Sequence, residues 1–216
     1  MNTQVRNSLK THLLTILAVA MVVPWSVATA DDLNPPLYRG KPLSVFAEWQ
    51  LVPGSTILNL TQSNWVDDND PSTTLHPLPF SNPVQPNAPG QYQFQLPNWI
   101  DKEPIKYMRV QLTWMGDLNP PISLASQALD GTNTIWGQTV NISPLQVDAA
   151  QIKAYQYYDL IFQPNPDFER VNVTLNPNSV LSQVVIDTVS TVPEPATMGL
   201  LGLGALNLLW RKRSAA

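Results

Sequence analysis

The chain's capacity for chemistry is set first by what it lacks. Its 216 residues hold no cysteine and two histidines, His12 and His76. Thiolate catalysis and Cys/His zinc chemistry are excluded, and His76, alone in a Pro-rich stretch, cannot build a two-histidine metal site. Acid–base work is left to carboxylates. Glu48, Glu103 and Glu169 are the only glutamates between residues 31 and 191. A glycosidase needs two carboxyls about 5–10 Å apart across a cleft, a pairing that only spatial contacts, not sequence, can show. Glu48 would face away from its neighbours Ala47 and Trp49, so a solvated face or a loop salt bridge is the expectation. The densest acidic run is Asp67-Asp68-Asn69-Asp70. Oxygen-rich loops of this kind hold Ca²⁺ outside cells, which makes Asp67, Asn69 and Asp70 the candidate ligands. EF-hand spacing fails, because Pro71 occupies a ligand position and the required Gly and Glu are missing. A solvated Asx turn before Pro71 is the alternative, and no other cofactor is expected.

Tryptophan offers a different chemistry, stacking on the apolar face of a sugar ring. Between residues 31 and 191 the chain has Trp49, Trp65, Trp99, Trp114 and Trp136. Trp49, Trp114 and Trp136 each share a strand face with aliphatics and read as core. Trp65 and Trp99 lie beside polar loop residues and are the candidate glycan contacts. Charge excludes another class of partner. Residues 31–191 carry seven basic side chains against fifteen acidic ones, a net −8. A domain that tracks nucleic-acid phosphates needs the opposite sign.

The two ends carry addresses. Arg6 and Lys10 precede an apolar run, Leu13 to Val23, which Pro24 breaks; Ala28-Thr29-Ala30 then supplies a small-x-small cleavage site. Residues 1–30 read as a signal peptide removed by signal peptidase after Ala30. At the other end, Val192-Pro193-Glu194-Pro195 precedes thirteen apolar-type residues, Met198 to Trp210, and then Arg211-Lys212-Arg213. Such a run reaches only ~20 Å, short of a ~30 Å hydrocarbon core. Trp210 suits the interface and the three cations resist translocation, so the tail reads as a stop signal for transient inner-membrane insertion. The prolines keep residues 192–195 extended and unpaired, a form that a protease cleft can grip.

Val-Pro-Glu-Pro-Ala-Thr, a Gly/Leu segment and a terminal basic cluster resemble the PEP-CTERM sorting signal, over residues 192–216. The resemblance implies that Pro193, Glu194 and Pro195 are the recognition motif of an exosortase, a membrane-embedded enzyme of Gram-negative bacteria. It also implies that the tail is cut near that motif and the protein delivered to the cell surface, in a setting of exopolysaccharide and biofilm matrix. More loosely, residues 35–40 leading to Trp49, residues 96–101 leading to Lys106-Tyr107, and residues 164–169 resemble ectodomains of PEP-CTERM proteins from planctomycete-like bacteria. That likeness implies a β-sandwich and brings no activity with it.

The elements that must position these residues are strands. Met108, Val110, Leu112 and Trp114 alternate with Arg109, Gln111 and Thr113; this period of two predicts a strand with the first set buried. Tyr92–Leu96, Val171–Leu175, Leu43–Leu51, Ile57–Leu60, Thr134–Ile142, Tyr155–Phe162 and Leu181–Thr188 are further candidates. Pro, Gly, Asn and Asp clusters separate them. Gln127–Gly131 and Leu145–Lys153 could each hold a helical turn or two. The expectation is all-β: a single β-sandwich or jelly-roll-like domain over residues 31–191, flanked by the signal peptide and a short hydrophobic C-terminal helix. The function expected is non-enzymatic, at the cell surface or in the matrix. A carbohydrate-binding module for exopolysaccharide is the alternative, and a glycoside hydrolase or lyase stands behind it.

Overall fold

The computed structural model describes residues 32–66, 73–75, 79–130, 133–166 and 168–190. Among them the regular structure is strand: β1 (Ser44–Leu51), β2 (Leu58–Val66), β3 (Thr74–Leu75), β4 (Gln91–Leu96), β5 (Trp99–Ile100), β6 (Lys106–Met115), β7 (Ser123–Asp130), β8 (Asn133–Trp136), β9 (Gln138–Ile142), β10 (Gln146–Asp148), β11 (Lys153–Phe162), β12 (Phe168–Thr174) and β13 (Val180–Val189). A seven-stranded sheet runs β10-β11-β6-β13-β1-β2, with β9 also on β11. A four-stranded sheet runs β4-β12-β7-β8, and β3 pairs with β5. The described residues are all-β, as the alternation predicts, and they form several sheets.

The register explains the core. Tyr158, Val110, Ile186 and Ala47 lie side by side across β11, β6, β13 and β1, and Gln156, Leu112, Val184 and Trp49 form the next row. The four-stranded sheet answers with Tyr92, Phe94, Val171 and Val173, and these side chains join one buried cluster with the first set. Trp49 meets Phe94 across the gap, ring centroids 5.0 Å apart. Met108, Val110, Leu112 and Trp114 are all buried, so the expected register holds. Gln111 and Thr113, on the opposite face of β6, are buried as well. The central strands of the large sheet, β6, β13 and β1, are therefore covered on both sides.

Three local expectations change. The segment Gln127–Gly131, expected to turn helically, belongs to β7 as far as Asp130. In Leu145–Lys153, β10 is followed by a turn in which Asp148 Oδ1 accepts from the backbone N–H groups of Ala150 (3.0 Å) and Gln151 (3.2 Å). That carboxylate caps a hairpin loop with the chemistry that also starts helices. Thr134–Ile142 is two strands in different sheets, because the chain crosses at Gly137, packed against the Phe162 ring where a Cβ would collide.

Candidate functional site

The outer face of the seven-stranded sheet carries a polar layer. Pro35 and Pro36 hold the incoming chain extended. A turn follows, with Arg39 N–H donating to Pro36 O and Lys41 N–H to Tyr38 O, both at 3.1 Å, and Gly40 at φ 75°. The turn leaves Leu37 exposed and lays Arg39 on the sheet. Arg39 grips Asp187 through Nε and Nη2, each 2.5 Å from a carboxylate oxygen. It also contacts Asp32 and lies 4.1 Å above the Phe46 ring. Beside it, Arg109 grips Asp159 at 2.6 and 2.9 Å and stacks 4.2 Å from the Tyr157 ring. The register puts Asn141, Asp159, Arg109, Asp187 and Phe46 in one row across five strands, with charges alternating in sign.

Gln111 ties the row to the incoming chain. Its Nε2 donates to Asp32 at 2.6 Å, and its Oε1 accepts from Asn34 N–H at 3.0 Å and from the Tyr155 hydroxyl at 2.8 Å. Asn34 Nδ2 donates to that hydroxyl at 3.0 Å, and Arg109 donates to Asn34 O at 3.1 Å. Burial pushes the Asp187 carboxyl up, against the pull of Arg39. Burial, with the Asp187 charge behind it, pushes the Tyr38 hydroxyl well up. Glu48, expected on a solvated face, is buried on this one; its Oε1 accepts from Gln50 at 2.6 Å and Gln183 at 3.0 Å. Side chains so fully engaged with one another can fasten residues 32–42 to the sheet. The sequence signal was the Pro-Pro-Leu-Tyr-Arg-Gly run. Its partners are the outward residues of strands distant in sequence, which no local pattern joins.

A second polar group lies between the sheets. Lys106 opens β6 on the inward row and Glu169 faces it from β12; Nζ and Oε1 are 2.7 Å apart and both side chains are 0 % exposed. Burial pulls the Lys106 ammonium down and pushes the Glu169 carboxyl up, each partly offset by the other's charge. Around them, Asn98 Nδ2 donates to Pro166 O. Asp101 Oδ1 accepts from Asn165 Nδ2 at 3.0 Å and from Glu103 N–H at 2.8 Å. Asn98 Oδ1 and Asp101 Oδ2 are buried without a hydrogen bond, and Lys106 and Glu169 find no partner beyond each other and the backbone of Glu169. Sequence reasoning counted Glu169 among the three glutamates and assigned it no partner. It missed that Lys106 sits in the same alternation as Met108 and Val110, the signal that would have put it inside.

The tryptophans divide differently from expectation. Trp65 is 49 % exposed and stacks on Phe80, centroids 6.2 Å apart. Trp99, the other candidate glycan contact, is buried at 5 % against Leu43 and Val45, because β5 folds its ring under the start of β1. Trp136, expected in the core, is 61 % exposed on β8, the edge of the smaller sheet. Asp67, Asn69, Asp70 and His76 lie outside the described residues, as do Ala28, Ala30, Pro193, Glu194, Pro195, Trp210, Arg211, Lys212 and Arg213. Among the described residues no group of three or more His, Asp or Glu side chains could hold a metal.

The C-terminus is decided by comparison. Residues 191–214 match the family model described as the PEP-CTERM protein-sorting motif. The tail is the sorting signal of an exosortase substrate. A PEP-CTERM tail implies export and membrane-associated processing by an exosortase. The PEP-CTERM motif starts two residues after β13, the strand between β6 and β1 at the middle of the large sheet. No curated protein and no solved structure matches the chain.

Proposed function

We propose that this PEP-CTERM protein is a non-enzymatic structural or adhesive component of the cell surface or extracellular matrix. Signal peptidase would release it after Ala30, and an exosortase would cut near Pro193-Glu194-Pro195. The sorting motif at residues 191–214 carries the reading. The ectodomain's chemistry supports it. The carboxylates of Asp187, Asp159 and Glu169 are each held by Arg39, Arg109 or Lys106, and Glu48 is held by two glutamines. A general acid or base must be within reach of a substrate proton, and groups committed in this way serve cohesion instead. Exopolysaccharide is the matrix partner proposed with this role.

The test is fractionation of the exporting cell with a tail-specific antibody. With Pro193, Glu194 and Pro195 replaced by alanine, the apolar run and Arg211-Lys212-Arg213 remain. The chain should be exported, keep its tail, and stay at the inner membrane. Neutralising the three cations should instead let unprocessed chain slip into the periplasm. Normal tail removal from the triple-alanine variant would sink the reading.

A glycan-binding role is the second reading, and exposed Trp136 and Trp65 favour it. Replacing each with alanine should abolish any affinity that the protein shows on a glycan array. Affinity unchanged by both substitutions would remove these rings from the account.

A further inference from the structure

We infer that Lys106 and Glu169 are joined, in the mature protein, by an amide bond between Nζ and Cδ that covalently links the two sheets. The contact exists already: 2.7 Å between Nζ and Oε1, with both side chains fully withdrawn from solvent. As an ion pair it is poorly supported. A buried pair repays its desolvation only when further hydrogen bonds fill the remaining valences, and apart from each other and the backbone of Glu169 these two groups find no partner. The apolar setting favours the neutral forms of both groups. Those are the reactive forms, a free amine and a carboxylic acid, reached by moving one proton from ammonium to carboxylate.

The third participant is Asp101. Its negative charge favours the protonated form of both groups, easing protonation of Glu169 and holding back loss of the proton from Lys106. Its Oδ1 is fixed by Asn165 and the backbone of Glu103, while its Oδ2 is buried without a partner. The Nζ lone pair attacks Cδ, forming the N–C bond and a tetrahedral carbon. Asp101 takes a proton from Nζ and returns it to one carboxyl oxygen, which leaves as water when its C–O bond breaks. One amine and one acid give one amide and one water, with no oxidant or other reactant. The product puts a neutral amide where an ion pair stood, and departure of the water formed from the apolar interior draws the reaction forward. It would also give a cysteine-free exported chain the covalent tie that a disulfide supplies elsewhere.

Tryptic peptides of the full chain, purified with a cooperative thermal transition showing that it is folded, test this. The expected product is a branched species joining residues 103–109 to residues 154–170, lighter than the two peptides by one water, with no cleavage after Lys106. Lys106→Arg should yield none. Asp101→Asn should fold and form it at least about tenfold more slowly, in keeping with the scale of acid–base assistance. Folded wild-type protein that yields only free peptides ending at Lys106 would overturn the proposal. A bond from Lys106 to Asp101 or Asn98 would overturn the assignment of Glu169, and an unchanged rate in Asp101→Asn would overturn the role of Asp101.

Discussion

Arg39 shows how one side chain outside any strand can govern a sheet. Its guanidinium is planar and forked, so it can hold both oxygens of Asp187 while lying flat on Phe46. Asp187 is 1 % exposed and central in the large sheet. Removing its partner leaves a buried charge, a loss of about 3–5 kcal/mol in comparable pairs. Arg39→Ala should lower the denaturation midpoint strongly, and Arg39→Lys should recover only part, because an ammonium cannot match the fork. The same pair predicts a pH dependence. Burial holds the folded Asp187 carboxyl above its ordinary 3.8, so its contribution is fully present below that value and is lost as pH rises through the folded value. Stability of wild type relative to Asp187→Asn should therefore improve as pH falls from neutrality toward 4 (about the ordinary carboxyl value). A gap that moves the other way would mean that Arg39 outweighs burial. Tyr158, pushed up to about 12 by burial, should resist ionisation until the fold opens in alkali.

At the level of elements, alternation was the legible part. β6 could be read because its inward positions from Met108 to Trp114 are apolar without interruption, and Met108→Asp should destabilise the fold by placing an unpaired charge among them. Its unfolding midpoint checks this. Gly116, which ends β6, is a backbone requirement: at φ +97° an added Cβ would run into the carbonyl oxygen of Asn178. Gly116→Ala should therefore cost stability through both strain and collision, more than the usual benefit of replacing a glycine. Calorimetry of that variant tests it. What could not be read was which polar positions find partners. Trp99 stands beside polar loop residues and Trp136 shares its strand face with aliphatics, yet the first is roofed by the start of β1 and the second ends on an exposed edge. That difference arises in the pairing of distant strands. The same holds for the outer polar layer, where Asp32, Gln111 and Asp187 come together from 32, 111 and 187 along the chain. The charge pair between the sheets was hidden for a plainer reason, since lysine and glutamate are almost never assigned to a core without contacts to justify it. The tail motif was legible because its residue types and their order along the chain are what the family model matches.

At the level of the molecule, β13 decides the order of events. β1 and β2 bond to the rest of the large sheet only through β13, whose other edge lies on β6. A chain crossing a membrane from its N-terminus exposes β1 first and β13 last. Until residue 189 has emerged, the strands already outside cannot close their sheet, however long they wait. A version truncated before Val180 should accordingly be exported and remain protease-sensitive, as pulse–chase with external protease would show. Since the exosortase motif follows this last strand almost at once, completion of the sheet and arrival of the cleavage site coincide. On that route the chain would become cuttable and become folded within a few residues of the same moment, so that the final strand would serve as a clock.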